Sequence, residues 1–393
     1  MRLHKLSASL VVALLLASTA VAHAEDPILQ EPDRRWQVEL FHFRFSVFDQ
    51  RGRGYQSKAI VGDPMSSPGS EKTEVVQPMA MLRIRHSETV THDVTIPMDV
   101  ISSASANALD AVSTASLLSE GGDIDVTTRV TRSEDDVLVA RYGFHIEETL
   151  RSWYGGLGIE RELAEDNATL SINATGIVDY FDELKINGFL VDRVFRYTGS
   201  LNASLSQLLS PTTIASLSYG VTYQSGVLER TWNSVPVTDS LARHSEKFPG
   251  TRLKHAASAW LSQHVPLTRT TVKTGYRYYR DDFGLSAHTA EARLYQYLGS
   301  RIIARGSYRF YRQTGADFYR ESFPTDMASV IKTADSDLAP FDAHEVGAKL
   351  TFYFTPIGPT WRSRSALNVS YLRYSRDNDL TIDAVSFGYQ HHY

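Results

Sequence analysis

Four side chains in the last third of the chain are the best suited to do chemistry. Asp281 and Asp282 are adjacent, His288 follows them, and Asp317 lies beyond the next alternating segment. Carboxylates beside an imidazole can activate water as general bases or hold a divalent cation. No metal-ligand spacing supports a metal site, and the Asp-Asp-Phe-Gly run also favours a turn in which Arg280 pairs with an aspartate. We therefore predict no catalytic residue and no bound metal, and we call these four residues the rim motif.

Composition excludes several kinds of chemistry. The 393 residues include no cysteine, so the chain supplies no disulfide, thiol nucleophile, Cys-ligated metal or c-type haem attachment. The formal net charge of -5 gives no electrostatic reason to expect a nucleic-acid partner. With 42% hydrophobic and 22% charged residues, the composition is also unlike that of a disordered protein. We expect the chain itself to bind no cofactor.

The N-terminus has the features of a secretory signal. Arg2 and Lys5 precede a short apolar run at residues 10–21, which is followed by an A-x-A motif at residues 22–24. The apolar run is shorter than the roughly 20 residues that a membrane-spanning helix needs. We expect cleavage after this motif, which leaves residues 25–393 as one domain.

Beyond this segment, apolar and polar residues alternate. Phe195, Tyr197 and Leu201 fall on one face of an extended chain, and Ser200 and Asn202 fall on the other. A period of two is typical of a β-strand with one apolar and one polar side. The C-terminal segment alternates in the same way and ends on an aromatic residue. Soluble sandwiches also contain such strands, so the connections between them must distinguish the two folds.

The alternation predicts about sixteen strands, with fourteen as the alternative. Their predicted ranges are 36–48, 75–86, 91–104, 123–131, 136–149, 153–164, 168–181, 194–209, 212–228, 252–266, 269–281, 285–298, 301–314, 344–356, 362–376 and 381–393. Every long connection between them is odd-numbered: 49–74, 105–122, 182–193, 229–251 and 315–343. Short turns at one rim and long loops at the other are typical of outer-membrane barrels. We predict an all-β fold, a transmembrane antiparallel β-barrel.

This register points many charged side chains into the barrel. Strands eleven to fifteen supply a predicted basic wall: Lys273, Arg277, Arg293, Arg305, Arg309, Lys349, Arg362 and Arg364. Strands three to six supply a predicted acidic wall: Asp93, Asp99, Asp125, Glu147, Glu160 and Glu162. Facing walls of opposite charge would orient polar solutes and select among ions in a pore. Alternatively, these charges pair with their neighbours along the wall and only keep the interior hydrated.

Residues 276–319 resemble part of a known family. They include Tyr276-Arg277-Tyr278-Tyr279-Arg280-Asp281-Asp282-Phe283-Gly284-Leu285, Ala287-His288-Thr289, Phe310-Tyr311-Arg312-Gln313 and Ala316-Asp317-Phe318-Tyr319. This segment resembles the hallmark region of an uncharacterised bacterial outer-membrane β-barrel family, domain of unknown function 3570, which more often has Trp at the position of Phe283. The resemblance implies a barrel that spans the mature chain, with genes for a flavin transferase, a thioredoxin-like protein and a small lipoprotein nearby. It implies no substrate and no catalytic residue.

These features favour a non-enzymatic pore in the bacterial outer membrane for small hydrophilic solutes or ions. The connection 315–343, with Phe318, Tyr319 and Phe323, is the one we expect to fold inward as a constriction. A structural sheath or partner-binding barrel for a periplasmic flavin-linked redox system is the alternative, and a barrel hydrolase is a third. The expected partners are outer-membrane lipid, the barrel assembly machinery and a periplasmic lipoprotein or flavoprotein, but no nucleic acid.

Overall fold

The computed structural model describes most of the chain beyond the predicted signal segment, which lies outside the described residues. The described ranges are 36–54, 69–70, 73–103, 118–147, 150–184, 190–229, 234–238, 243–327, 330–357 and 365–393. Arg362 and Arg364 of the predicted basic wall also lie outside them, as does the side chain of Asp99 in the predicted acidic wall. Within these ranges, no helix has the length and apolar character to cross a membrane.

Sixteen strands in the described part of the chain form one closed antiparallel barrel. Each strand pairs with its neighbours in sequence, and the last pairs with the first. They are β1 (Gln37–Arg51), β2 (Thr73–Arg85), β3 (Val90–Ser103), β4 (Leu118–Thr131), β5 (Asp136–Glu147), β6 (Leu150–Leu163), β7 (Ala168–Leu184), β8 (Leu190–Ser210), β9 (Thr213–Gly226), β10 (Thr251–Val265), β11 (Thr270–Asp281), β12 (Ser286–Leu298), β13 (Ile302–Gln313), β14 (Phe341–Tyr353), β15 (Ser365–Arg376) and β16 (Thr381–His392). The predicted fold class and strand number are confirmed.

Strands β1 and β16 close the barrel through a ladder that includes every residue of β16. The pairing begins with Leu40 opposite His392 and includes Ser46 opposite Ser386, whose hydroxyl oxygens are 2.8 Å apart. Closure leaves no unpaired strand edge in the barrel. Since lipid cannot hydrogen-bond free backbone groups, this is the form in which a sheet can cross a membrane.

The outer surface of the barrel is apolar and the inner surface is polar. Leu157, Leu217 and Phe387 are 73%, 61% and 57% exposed on the outside. At alternate positions the side chains turn inward, where the buried Ser152 hydroxyl donates to the Asp179 carboxylate at 2.6 Å. An apolar band outside a closed polar interior defines a transmembrane β-barrel.

Long and short connections lie at different rims, as predicted. The short-turn rim has the even-numbered connections 86–89, 132–135, 164–167, 211–212, 266–269, 299–301 and 354–364, and the long-loop rim includes 52–72, 104–117, 227–250 and 314–340. The predicted long loop at 182–193 is shorter than expected. Leu190 pairs with Leu184 there, so β7 and β8 extend the ladder and leave only 185–189 between them.

Three tyrosine–histidine pairs lie on the outer surface of β9–β14, toward the long-loop rim. Each tyrosine ring is about half exposed, and each pair joins two adjacent strands by a hydrogen bond. The hydroxyl oxygen and the imidazole Nδ1 are 2.8 Å apart in Tyr219–His255, 2.5 Å in Tyr276–His288 and 2.8 Å in Tyr308–His344. Rings with polar tips are typical of the boundary between hydrocarbon and water.

Candidate functional site in the barrel lumen

Asp281 of the rim motif is a fully buried structural group. Its Oδ2 accepts hydrogen bonds from Nε of Arg252 at 2.9 Å and from the Tyr279 hydroxyl at 2.7 Å. Its Oδ1 accepts two backbone N–H groups of the turn that follows, each at 3.1 Å. Arg252 on β10 therefore takes the place of Arg280, the expected partner, which lies on the opposite face of β11. Asp281 holds the turn and has no free oxygen for chemistry.

The other members of the rim motif point in different directions. Asp282 is exposed at the turn, and His288 lies on the outer surface with its Tyr276 partner. Asp317 lies against Gly284, where φ is +83° and a Cβ would lie 2.2 Å from the Asp317 carboxylate. The described residues contain no group of three or more side chains able to hold a metal ion. The structure thus does not bring the rim motif together as one site.

Two long loops and one turn pack together at the long-loop rim, and we call this assembly the loop cap. The rings of Phe248, Phe283 and Phe318 form its centre, with centroid separations of 5.0 to 5.8 Å. Leu228 and Leu338 are buried around them. The described residues of the loop cap are 227–229, 234–238, 243–250, 282–285, 314–327 and 330–340.

Hydrogen bonds join the two long loops of the cap to each other. The backbones of Lys247 and Lys332 exchange two bonds, with N to O distances of 3.1 and 2.8 Å. The Thr333 hydroxyl donates to the buried Glu246 carboxylate at 2.5 Å. These contacts and the aromatic centre make the loop cap one packed unit.

Two titratable groups in the loop cap are shifted by burial. Lys332 is fully buried, and its Nζ donates to the carbonyl oxygens of Met327 at 3.1 Å and Val330 at 3.3 Å. Burial and the charge of Lys247 lower the pKa of Lys332. Burial, helped by two nearby carboxylates, raises the pKa of the Tyr319 phenol to about 12. Packing of the cap therefore favours the neutral form of both groups.

The loop cap is attached to the inner wall of the barrel. A guanidinium nitrogen of Arg376 on β15 lies 2.7 Å from Oδ1 of Asp337, and its Cζ lies 4.2 Å from the centre of the Phe341 ring. On β13, Nε2 of Gln313 donates to the carbonyl oxygens of Asp337 and Ala339 at 3.0 and 2.5 Å. The end of the loop that was expected to fold inward therefore lies against the inside of the barrel, although it ends at residue 340 because β14 begins earlier than predicted.

A cavity of about 680 Å³ occupies the lumen beside this attachment. On β7–β10 it is lined by small polar side chains, Asn173, Asn202, Ser204, Ser218 and Ser258. On β11–β15 it is lined by charged groups, including Arg277, Glu291, Arg309 and Arg376, and Asp337 of the loop cap completes the lining. The cavity thus offers hydrogen-bonding groups on one side and ions on the other.

Trp260 is an aromatic side chain within this polar lining. Its indole lies on the backbone of Gly275, where a Cβ would be only 2.4 Å away. Nζ of Lys273 and Cζ of Arg293 lie 4.9 and 5.1 Å from the Trp260 ring centre. Cations at this distance are attracted to the face of an aromatic ring. Two members of the predicted basic wall are thus placed around one aromatic group.

The rest of the predicted basic wall is divided between paired and clustered cations. Arg309 binds Glu345 at 2.6 Å, and Arg293 also binds Glu291. Arg305 and Lys349 are directly opposite each other on β13 and β14. Arg277 faces the cavity.

Most of the predicted acidic wall is neutralised by neighbouring cations. Asp93 binds Arg83 at 2.7 Å and Arg129 at 2.8 Å. Glu160 lies 3.9 Å from the same Arg129, and Glu162 accepts a hydrogen bond from a threonine at 2.8 Å. The remaining pairs are Asp125 with Arg141 and Glu147 with His145, at 2.6 and 2.9 Å. On this side of the lumen the acidic side chains therefore pair with neighbours along the wall, which was the alternative to a free acidic wall.

Sequence reasoning missed Arg83 and the ion pair between Arg196 and the buried Asp179, whose charged atoms are 2.6 Å apart. A signal for the first was present, because Arg83 and Asp93 flank the short turn 86–89 and stand opposite each other in the ladder. Asp179 and Arg196 are likewise opposite each other on β7 and β8. Because the connection between these two strands was predicted at 182–193, the register that places Asp179 opposite Arg196 could not be predicted.

Fold and lumen together define a transmembrane β-barrel with a polar, partly capped interior. The family described as a protein of unknown function (DUF3570) matches residues 162–383, more than half of the chain, and the chain belongs to this family. The segment that carries the resemblance, 276–319, lies within the matched residues.

Solved barrels are similar in fold at low sequence identity, and none of the curated proteins matches the chain. A bacterial polysaccharide outer membrane secretin has 9% identity and a TM-score of 0.48, over 90% of this chain and 99% of its own. A BenF-like porin from Pseudomonas fluorescens Pf-5 has 9% identity and a TM-score of 0.46, over 91% and 99%. The CymD monoaromatic hydrocarbon channel has 9% identity and a TM-score of 0.41, over 91% and 89%.

Proposed function

We propose that this protein is a passive diffusion pore of the bacterial outer membrane for small hydrophilic solutes or ions. The observation that carries the proposal is a closed barrel of sixteen strands around a polar cavity of about 680 Å³. Barrels of this strand number are wide enough to enclose an aqueous channel. The proposal includes no catalytic step, because the residues of the rim motif do not form a common site.

The loop cap is the constriction of this pore. Its end is held against β13 and β15 by Gln313 and Arg376. The polar side chains on the opposite side of the cavity are small serines and asparagines, with Trp260 among them. Solutes would therefore pass between Asp337 and the β7–β10 side of the lumen.

Charge pairing supports a preference for anions. The acidic side of the lumen is largely neutralised by arginines, whereas Arg277, Arg305 and Lys349 have no ion-pair partner in the described part of the chain. Unpaired cations that line a pore lower the barrier for anions. We expect anions to permeate more readily than cations of similar size.

Planar-bilayer recording of the purified full-length protein tests this proposal. We expect stepwise conductance and a reversal potential that indicates anion preference. The double substitution Arg305→Gln/Arg309→Gln should reduce that preference, and Arg312→Gln, which removes a charge from the outer face of β13, should leave it unchanged. If protein that shows the heat-modifiable migration of a folded barrel gives no conductance, the pore is excluded.

A further inference from the structure

Most arginines inside the described part of the barrel pair with a carboxylate, although Arg277 does not. The acceptor lies on an adjacent strand, on the same strand or, for one arginine, on the loop cap. These paired residues are Arg83, Arg129, Arg141, Arg196, Arg252, Arg293, Arg309 and Arg376. Such pairing offsets the cost of removing a charged group from bulk water.

Arg44, Arg305 and Lys349 lie in the half of the lumen toward the short-turn rim and do not follow this pattern. Arg305 on β13 stands directly opposite Lys349 on β14, and the charge of Arg44 on β1 acts on Lys349 together with that of Arg305. None of the three has a carboxylate partner among the described residues. Like charges that face each other across a ladder destabilise the sheet, so this cluster costs stability as the protein stands.

The hydrogen bonds of these arginines are also incomplete. The Nε atoms of Arg44 and Arg305 are shielded from solvent and have no acceptor in the described structure. A buried donor without an acceptor is costly, and more so when it is charged. His42 lies on the same inner face of β1 and is acted on by the charges of Lys349 and Arg44. The cluster thus combines unbalanced positive charge with unused donors.

We propose that Arg44, Arg305 and Lys349 form a binding site for a phosphate group within the lumen. Arginine presents a planar fork of donors that matches phosphate oxygens, and lysine adds a mobile point charge. A phosphate monoester carries about −1.5 to −2 charges at neutral pH, which balances three cations better than a single carboxylate does. The site deepens the proposed pore function, because it lies on the wall that solutes would pass.

Calorimetric titration of the full-length protein in detergent with inorganic phosphate tests the site at constant ionic strength. We expect saturable binding to the wild type and at least a tenfold rise in Kd for Arg305→Gln/Lys349→Gln. Arg312→Gln is the matched control, since it removes one charge from the outer face of the same strand, and its Kd should equal that of the wild type. Glucose 6-phosphate is titrated in parallel. If glucose 6-phosphate binds more tightly than inorganic phosphate, the ligand of the site is a phosphorylated organic solute. If the two bind equally, the ligand is free phosphate.

Several results would overturn the site. They are no phosphate binding to the wild type, equal binding of acetate, and an unchanged Kd in the double variant. The double variant relieves repulsion and should fold, which its heat-modifiable migration reports. If it does not fold, Arg44→Gln replaces it and the same rise in Kd is required. Phosphate binding without conductance would support the site and reject the pore. Conductance without phosphate binding would support the pore and reject the site.

Discussion

Arg376 and Asp337 connect the barrel wall to the loop that covers it, with a guanidinium nitrogen 2.7 Å from the carboxylate Oδ1. Both side chains are mostly buried, at 14% and 31% exposure. Arg376 also stacks on Phe341, next to the cavity. This ion pair and the two hydrogen bonds of Gln313 therefore hold the end of the loop cap in the mouth of the barrel.

Replacing Asp337 by asparagine should loosen the cap without disturbing the barrel. The substitution keeps the shape of the side chain but removes its charge, which leaves Arg376 without its ionic partner. We expect the cap contact to weaken by about 1–3 kcal/mol and the single-channel conductance to become larger and noisier. Arg373→Gln, which removes the outer-face ion pair with Asp383, is the control. Equal conductance in Asp337→Asn and wild type would show that the cap does not narrow the pore.

Asp281→Ala should destabilise the protein strongly. The side chain is fully buried and satisfies Arg252, Tyr279 and two backbone N–H groups. Removing one partner of a buried ion pair costs about 3–5 kcal/mol. Urea unfolding in detergent micelles measures the loss.

Asp282→Ala is the matched control for this substitution. Asp282 is the next residue and is exposed, so its removal should change stability by about 0.5 kcal/mol or less. Similar losses in the two variants would refute the structural role assigned to Asp281.

Gly275→Ala should displace the indole of Trp260. The added Cβ would lie 2.4 Å from that ring, so the ring must move away from Lys273 and Arg293. Overpacking of this kind costs about 1–3 kcal/mol. Thermal unfolding measures the cost, and Gly306→Ala serves as control because nothing lies within 4 Å of the Cβ it adds. A neutral Gly275→Ala would mean that Trp260 does not rest on this backbone.

The stability of the loop cap should depend on pH in two opposite ways. Lys332 has a pKa below its ordinary 10.5 in the packed cap, so the cap becomes more stable as pH rises toward that value. Tyr319 has its pKa raised from 10.0 to about 12, so the cap loses stability as pH rises from 10.0 toward 12. Protection of the cap from subtilisin should therefore be greatest near pH 10.

Two substitutions separate these effects. Lys332→Met removes the titrating amine and should abolish the rise in protection below pH 10.5, while Tyr319→Phe should abolish the loss above pH 10.0. Cleavage rates are expressed relative to wild type at each pH, which cancels the pH dependence of the protease. A Lys332→Met rate, relative to wild type, that stays constant from pH to pH would contradict the assignment.

The barrel could be predicted from the sequence because apolar side chains that face lipid alternate along each strand with polar side chains that face the lumen. Phe195, Tyr197 and Leu201 lie on the outer surface as the alternation indicates. The alternation of short and long connections then distinguished a membrane barrel from a soluble sandwich. Closure of the ring then needed no further information, since a sheet in lipid cannot keep an edge.

Partners across strands were harder to predict. Arg252 and Arg280 are both near Asp281, and only the register of β10 against β11 decides that Arg252 shares its face. The loop cap was beyond pattern reasoning, because Phe248, Phe283 and Phe318 come from three separate connections without periodicity. Their packing depends on the distance between loops, which the closed barrel sets and the local sequence does not.

The tyrosine–histidine pairs on the outer surface of β9–β14 indicate how deeply the barrel is inserted in the bilayer. They mark the boundary between hydrocarbon and water on that half of the barrel, because hydrogen-bonded imidazoles are poorly suited to contact acyl chains. This places the boundary of the acyl layer near the level of Tyr219, Tyr276 and Tyr308. The loop cap, at the long-loop rim, then lies on the aqueous side of this boundary.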